Sequence, residues 1–125
     1  MADLLHITER ILWETAKRNG SYRISTRGTS LEQQGFIHCS LPHQLRGVAE
    51  ANYDDVSDLV VLVIDAASLP AEVRYEDGGD GEIYPHIYGP LPVKSVTQVI
   101  PVTPYETGQM ILPESRQVSQ HGKRD

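Results

Sequence analysis

At 125 residues, 39% hydrophobic and 22% charged, the chain is long enough for one domain with its own core, and its composition is not that of a disordered, fibrous or disulfide-stapled protein. A formal charge of −6 argues against a general nucleic-acid or membrane-surface role, because phosphate surfaces reward clustered Lys and Arg. The lone Cys39 cannot form an intramolecular disulfide, Met1 to His6 lacks a basic region followed by a long apolar run, and the longest apolar stretch, Leu59 to Ile64, is too short to span a bilayer; together these predict a cytoplasmic protein with no membrane partner.

In chain order, Leu4 to Thr8 predicts a strand and Glu9 to about Arg18 a helix. Thr8 is placed to cap that helix, Lys17 and Arg18 suit its negative end, and Gly20 stops it. Ile11, Leu12 and Ala16 form its apolar stripe, with Trp13 just off the stripe over the core edge. Tyr22 to Thr26 predicts a second strand, and Arg27-Gly28-Thr29 a turn out of it. Ser30-Leu31-Glu32-Gln33 is a capping box that opens a short helix ending at Gly35.

Gly35-Phe36-Ile37-His38-Cys39-Ser40 predicts the central strand. Ser40 or Leu41 then opens a helix to about Tyr53, with Pro42 in its first turn and Leu41, Leu45, Val48 and Ala49 on its buried face. Leu59 to Ile64 is continuously apolar and β-branched, which predicts an interior strand buried on both faces. Val73 to Glu76 is a short strand, and Asp77 to Gly81 a loop of turn composition. Ile83 to Tyr88 is a strand that Pro85 assigns to an edge or a bulge. Gly89 to Pro92 is a rigid turn, and Val96 to Val102 the last strand. The reading is one domain over residues 1–112 and a flexible polar tail over 113–125. Early helices and late strands make the class α+β.

Side chains alternate across a strand. Phe36, His38 and Ser40 therefore share one face, opposite Ile37 and Cys39. His6 and Thr8 oppose Leu5 and Ile7, and Tyr84, His86 and Tyr88 oppose Ile83 and Ile87. Three strands thus pair an apolar face with a histidine on the other. Imidazole donates, accepts and exchanges protons near neutrality, so this pattern suits acid–base work as well as structural hydrogen bonding. A metal centre would need the three strands to converge, because His38 and Cys39 diverge from adjacent positions; no metal is expected. Cys39 lies on the apolar face and is expected to be an inert core residue. A helix opening at Ser40 would offer an anion site, and Arg23, Arg27 and Arg46 could either reach a phosphate or lie solvated.

Leu5-His6-Ile7-Thr8 with Trp13, the Gly35 to Ser40 stretch, and Tyr84-Pro85-His86-Ile87-Tyr88-Gly89-Pro90-Leu91 together resemble the bacterial family catalogued as domain of unknown function 952, over roughly Leu4 to Val102. The resemblance implies a fold similar to the ADP-ribosyltransferases: a split β-sheet core with two or three helices, and a cleft for NAD. On that basis His6-Ile7-Thr8 resembles the His-x-Thr motif whose histidine holds a ribose hydroxyl. Ser40 would face phosphate, Tyr84 and Tyr88 would stack on a ring, and His38 and His86 would be the acid–base pair. The chain departs from the superfamily at the catalytic Glu of the last motif, where Glu82 is near but His86 dominates, and Gln34 stands where the family often has an acid. RNA 2′-phosphotransferases of similar fold use His and Arg instead. The expected function is a cleft for NAD, ADP-ribose or a related nucleotide, with ribosyl or phosphoryl transfer as its chemistry, or else a non-catalytic small-molecule or protein interaction module.

Overall fold

A computed structural model describes residues 3–104, 110 and 111. The expected tail at 113–125 lies outside the described residues. In chain order the elements are β1 (Asp3–Glu9), α1 (Arg10–Asn19), β2 (Ser21–Tyr22), β3 (Ile24–Thr26), β4 (Thr29–Ser30), α2 (Leu31–Gln34) and β5 (Ile37–His38). Then come α3 (Leu45–Tyr53), β6 (Leu59–Asp65), β7 (Val73–Asp77), β8 (Ile83–Ile87), β9 (Leu91–Pro92), β10 (Val96–Pro101), β11 (Thr103–Pro104) and β12 (Met110–Ile111). The class is α+β, with few helices and several small antiparallel sheets.

Two three-stranded antiparallel sheets organise the chain, in the orders β1-β6-β10 and β5-β8-β7. They meet at one bridge, where Leu5 N–H donates to Ser40 O at 2.9 Å and Ser40 N–H to Leu5 O at 2.7 Å. β6 is the apolar centre of the first sheet. Its even residues Val60, Leu62 and Ile64 join Trp13, Tyr22, Ile37 and Ile87 in one core cluster. Its odd residues Leu59, Val61 and Val63 join Leu5, Ile7, Leu45 and Tyr53 under α3 in a second. A β-branched run with no polar alternation is what two-sided burial requires.

The start of α1 differs from expectation. Thr8 stays in β1, paired in register with Val60, and Glu9 takes the N-cap position without a side-chain bond. The helix does not need Thr8, because Arg10 N–H, a first-turn donor, is taken by Asp58 O at 2.9 Å. The buried edge of α1 is Trp13 and Ala16, while Ile11 is 63% exposed. The indole buries more area than Ile11 would, so the helix turns that edge inward.

The expected strand over Tyr22 to Thr26 is split: β2 pairs with β9, and β3 turns through Gly28 to pair with β4. The Ser30 capping box forms as expected, and Gly35 ends α2 at φ 95°. β8 is the middle strand of its sheet, not an edge. Pro85 is accommodated because its carbonyl accepts from Cys39 N–H at 2.9 Å. Its missing donor falls on that same side, just beyond the end of the short β5. Of the two expected openers of the helix, Ser40 or Leu41, Ser40 is held extended by Leu5. Leu41 caps a 3-10 turn over Pro42–Gln44, from which α3 continues to Tyr53.

Candidate functional site

The β5-β8-β7 sheet presents its even-numbered face to a cleft of about 490 Å³. Register puts His38 opposite His86 and His86 opposite Arg74, with Glu76 opposite Tyr84. On that face Phe36 stacks on His86, ring centroids 3.9 Å apart and planes 13° from parallel. Tyr84 packs 4.8 Å from the His38 ring and Tyr88 5.4 Å from Phe36. Across the cleft, α3 contributes Gly47, Val48, Ala51 and Asn52. Thr26 and Gln34 line the cleft from the β3–α2 side, and Asp77, Gly78 and Asp80 from the β7–β8 loop.

Hydrogen bonds join the histidines into a directed chain. Tyr88 Oη donates to Glu76 Oε1 at 2.6 Å, and the same oxygen lies 2.8 Å from His86 Nδ1. The Tyr88 and His86 bonds hold Glu76 below the usual carboxylate range, so it is ionised and only accepts. A carboxylate only accepts, so His86 Nδ1 is the donor of that bond. In the tautomer with that single ring proton, Nε2, 3.3 Å from His38 Nδ1, accepts, and His38 donates from Nδ1 and keeps its lone pair on Nε2. Among the described residues nothing bonds that nitrogen. Burial, reinforced by the nearby His86, lowers the His38 pKa to about 4, so His38 is unprotonated at neutral pH.

The loop that closes one end is tied to the same face. Tyr84 Oη donates to Asp80 Oδ2 at 2.7 Å, and Glu82 N–H to Asp80 Oδ1 at 3.0 Å, which holds the Asp80 carboxyl low. The Asp80 carboxylate and burial push the Tyr84 phenol up to about 12. A Cβ on Gly78 would stand 2.5 Å from the Tyr84 ring, so only glycine lets the loop backbone lie against that ring.

The expected site residues separate into two groups. His38, His86 and Tyr84 line the cleft, and Tyr88 adjoins it through Phe36 and Glu76. His6, Thr8 and Ser40 are each at most 3% exposed, on the seam between the sheets. His6 Nδ1 donates to His38 O at 2.7 Å, so its Nε2 accepts from Tyr22 Oη, also at 2.7 Å. Both His6 nitrogens are spent on protein, and burial lowers its pKa to about 4. A void of about 10 Å³ lies between His6, Ser25, Ser40 and His38.

The arginines weighed as phosphate ligands or solvated groups are near surface carboxylates. Arg23 pairs with Glu32, Arg27 with Asp55, and Arg46 lies 3.9 Å from Glu50. Cys39 is fully buried in the core, where burial pushes its thiol up. Among the described residues no group of three or more His, Cys, Asp or Glu is arranged to hold a metal ion.

Glu76 and Asp80 are the residues that sequence reasoning missed. The signal was present: closing 73–76 and 83–88 as a hairpin through the Asp77–Gly81 loop aligns Arg74 and Glu76 with His86 and Tyr84.

The family described as "Protein of unknown function (DUF952)" matches residues 7–99. The X-ray crystal structure of protein CC0527 from Caulobacter crescentus superposes with a TM-score of 0.78 at 28% identity, covering 89% of this chain and 95% of that one. The solution NMR structure of CC0527 gives a TM-score of 0.72 at 28% identity, over 87% and 91% of the two chains. No curated protein matches the chain.

Proposed function

The chain belongs to the DUF952 family, and from the chemistry of its cleft we propose that it binds the base–ribosyl end of NAD or a related nucleotide and transfers or hydrolyses the ribosyl group, with His38 as general base. The observation that carries this reading is the Glu76–His86–His38 chain, which leaves one unprotonated imidazole nitrogen without a protein partner at a cleft large enough for a ligand. In the reaction, a water or acceptor hydroxyl attacks C1′ of the ribosyl group. The new O–C1′ bond forms as the C1′–N bond breaks, the bonding electron pair leaves with the ring nitrogen, and the nucleophile's proton passes to His38 Nε2. The imidazolium so formed still donates from Nδ1 to His86, which Glu76 holds, so a fixed carboxylate faces the new charge through one ring.

Two antiparallel sheets meeting at the Leu5–Ser40 bridge support grouping the fold with the ADP-ribosyltransferases. Within that reading Tyr84 and Phe36 supply the stacking surface. Burial keeps His6 and Thr8 from a ribose, and His6 acts from behind by fixing the His38 carbonyl. A phosphate has no partner at Ser40, so phosphoryl transfer is the less supported chemistry.

The test is calorimetric titration with NAD, ADP-ribose and AMP, paired with chromatographic detection of released base. Binding of NAD with slow release of nicotinamide, lost in His38→Ala with the fold intact by circular dichroism, is the expected result. Binding with no turnover under any acceptor would leave a non-catalytic module and reject the base assignment.

A further inference from the structure

We infer that the cleft is a slot selective for a planar heteroaromatic cation. The first observation is its shape. One wall is aromatic, formed by Tyr84 and by Phe36 lying flat on His86. The facing wall is a helix stripped of bulk, with Gly47 and Ala51 four residues apart on one side of α3. Gly47 sits inside the helix, where glycine is the worst non-proline choice. Nothing in the fold demands it: a Cβ there would meet no atom within 4 Å, and its φ is not in the left-handed region. The helix forgoes stability at that position, and what it keeps is open space opposite an aromatic wall.

The second observation is charge. Asp77 and Asp80 line the slot, Glu76 stands behind His86, and no Lys or Arg lines it among the described residues. Arg74, the nearest cation on the same sheet face, lies 4.3 Å over the Tyr88 ring and bonds Glu72 at 3.1 Å. The carboxylates give the slot an acidic lining, and the faces of Phe36 and Tyr84 add the π attraction that a ring cation uses. A polyanion is repelled by the same lining, so the phosphates of a nucleotide must lie outside it. This names the ring that the proposed ribosyl chemistry would act on, and it rests on that reading only for the location of the site.

The probes are 1-methylnicotinamide, a permanent ring cation, and neutral nicotinamide, titrated by calorimetry into the wild type, Asp80→Asn and Gly47→Leu. The cation should bind at least about tenfold tighter than the neutral ring, a preference of about 1.4 kcal/mol. Asp80→Asn should erase most of that preference. Gly47→Leu should abolish binding of both rings while the melting temperature holds or rises, because leucine is the better helix former. Equal affinity for the two rings, no binding of either, or unchanged affinity in Gly47→Leu each overturns the inference. Titration with ADP-ribose separates the two proposals. If ADP-ribose binds as well as NAD while neither ring binds, the slot is refuted and the nucleotide reading survives. If the ring cation binds but NAD is never turned over, the slot stands and the ribosyl chemistry falls.

Discussion

His6 and His38 are a hydrogen bond apart, and burial lowers both to a pKa of about 4, yet they belong to different machines. His6 stands on β1 in the seam, with one nitrogen on the His38 carbonyl and the other on Tyr22. His38 stands on β5 over the cleft, with one nitrogen on His86 and the other unclaimed by any described residue. Burial fixes the protonation state of each ring. What decides whether a neutral histidine can do chemistry is how many of its nitrogens the protein has already used.

The largest expected effect breaks the comparison on the cleft side. His38→Ala should reduce ribosyl turnover by about 10²- to 10⁴-fold, the usual contribution of a positioned general base. Steady-state assays beside thermal melts measure this, and a variant with full activity would remove His38 from the mechanism.

The next effect belongs to the seam. Unfolded His6 titrates near 6.5 and folded His6 near 4, so between those values the unfolded chain binds a proton that the native chain refuses. Stability therefore falls as pH drops from 6.5 toward 4 and is insensitive to this group outside that window; the full loss for His6 is on the order of 3 kcal/mol. His38 adds in the same direction, and Glu76 and Asp80, whose carboxyls are held low, add theirs at still lower pH. Urea unfolding at pH 7.0 and 4.5 would show it, and His6→Gln should flatten much of the slope. A wild-type stability unchanged across that interval would contradict the buried neutral seam.

Glu76→Gln sharpens the comparison at smaller scale. The amide keeps an acceptor for His86 but loses the charge, so turnover should fall by about tenfold, with substrate affinity nearly constant. A loss confined to affinity would make Glu76 a binding group instead. The smallest effect is a control outside the Glu76–His86–His38 chain. Ser30→Ala removes a bond from Gln33 N–H at 3.2 Å and should cost about 1 kcal/mol in chemical denaturation with no change in turnover.

Much of the frame was legible in the sequence because local physics determines it. The unbroken run Leu59–Ile64 could only be a two-sided interior strand, and Ser30 with Gln33 specified a helix start unaided. Alternation correctly gathered Phe36, His38, Tyr84 and His86 on one face. It failed for β1, since period-two reasoning says which residues share a face but not whether that face meets solvent; His6 and Thr8 share a face that the fold covers with Tyr22 and α1. Glu76 was missed for a related reason, because only pairing β7 with β8 reveals it. Its role depends on the β7–β8 register, which the loop sets, and no periodicity within β7 alone distinguishes it from a solvated surface acid.

Between the two sheets the backbone is joined at the Leu5–Ser40 bridge, and the rest of their union is side-chain packing, with Ile37 and Ile87 set against Val60, Leu62 and Ile64. Only two backbone hydrogen bonds cross there, against a full ladder inside the β1–β6 pair. In native-state hydrogen exchange the amides of β5 and β8 should form a lower-energy opening unit than those of β6. A ligand seated between α3 and the β8 face would slow exchange in that lower unit and leave the upper one untouched, so bound and free protein would differ in their softest layer alone.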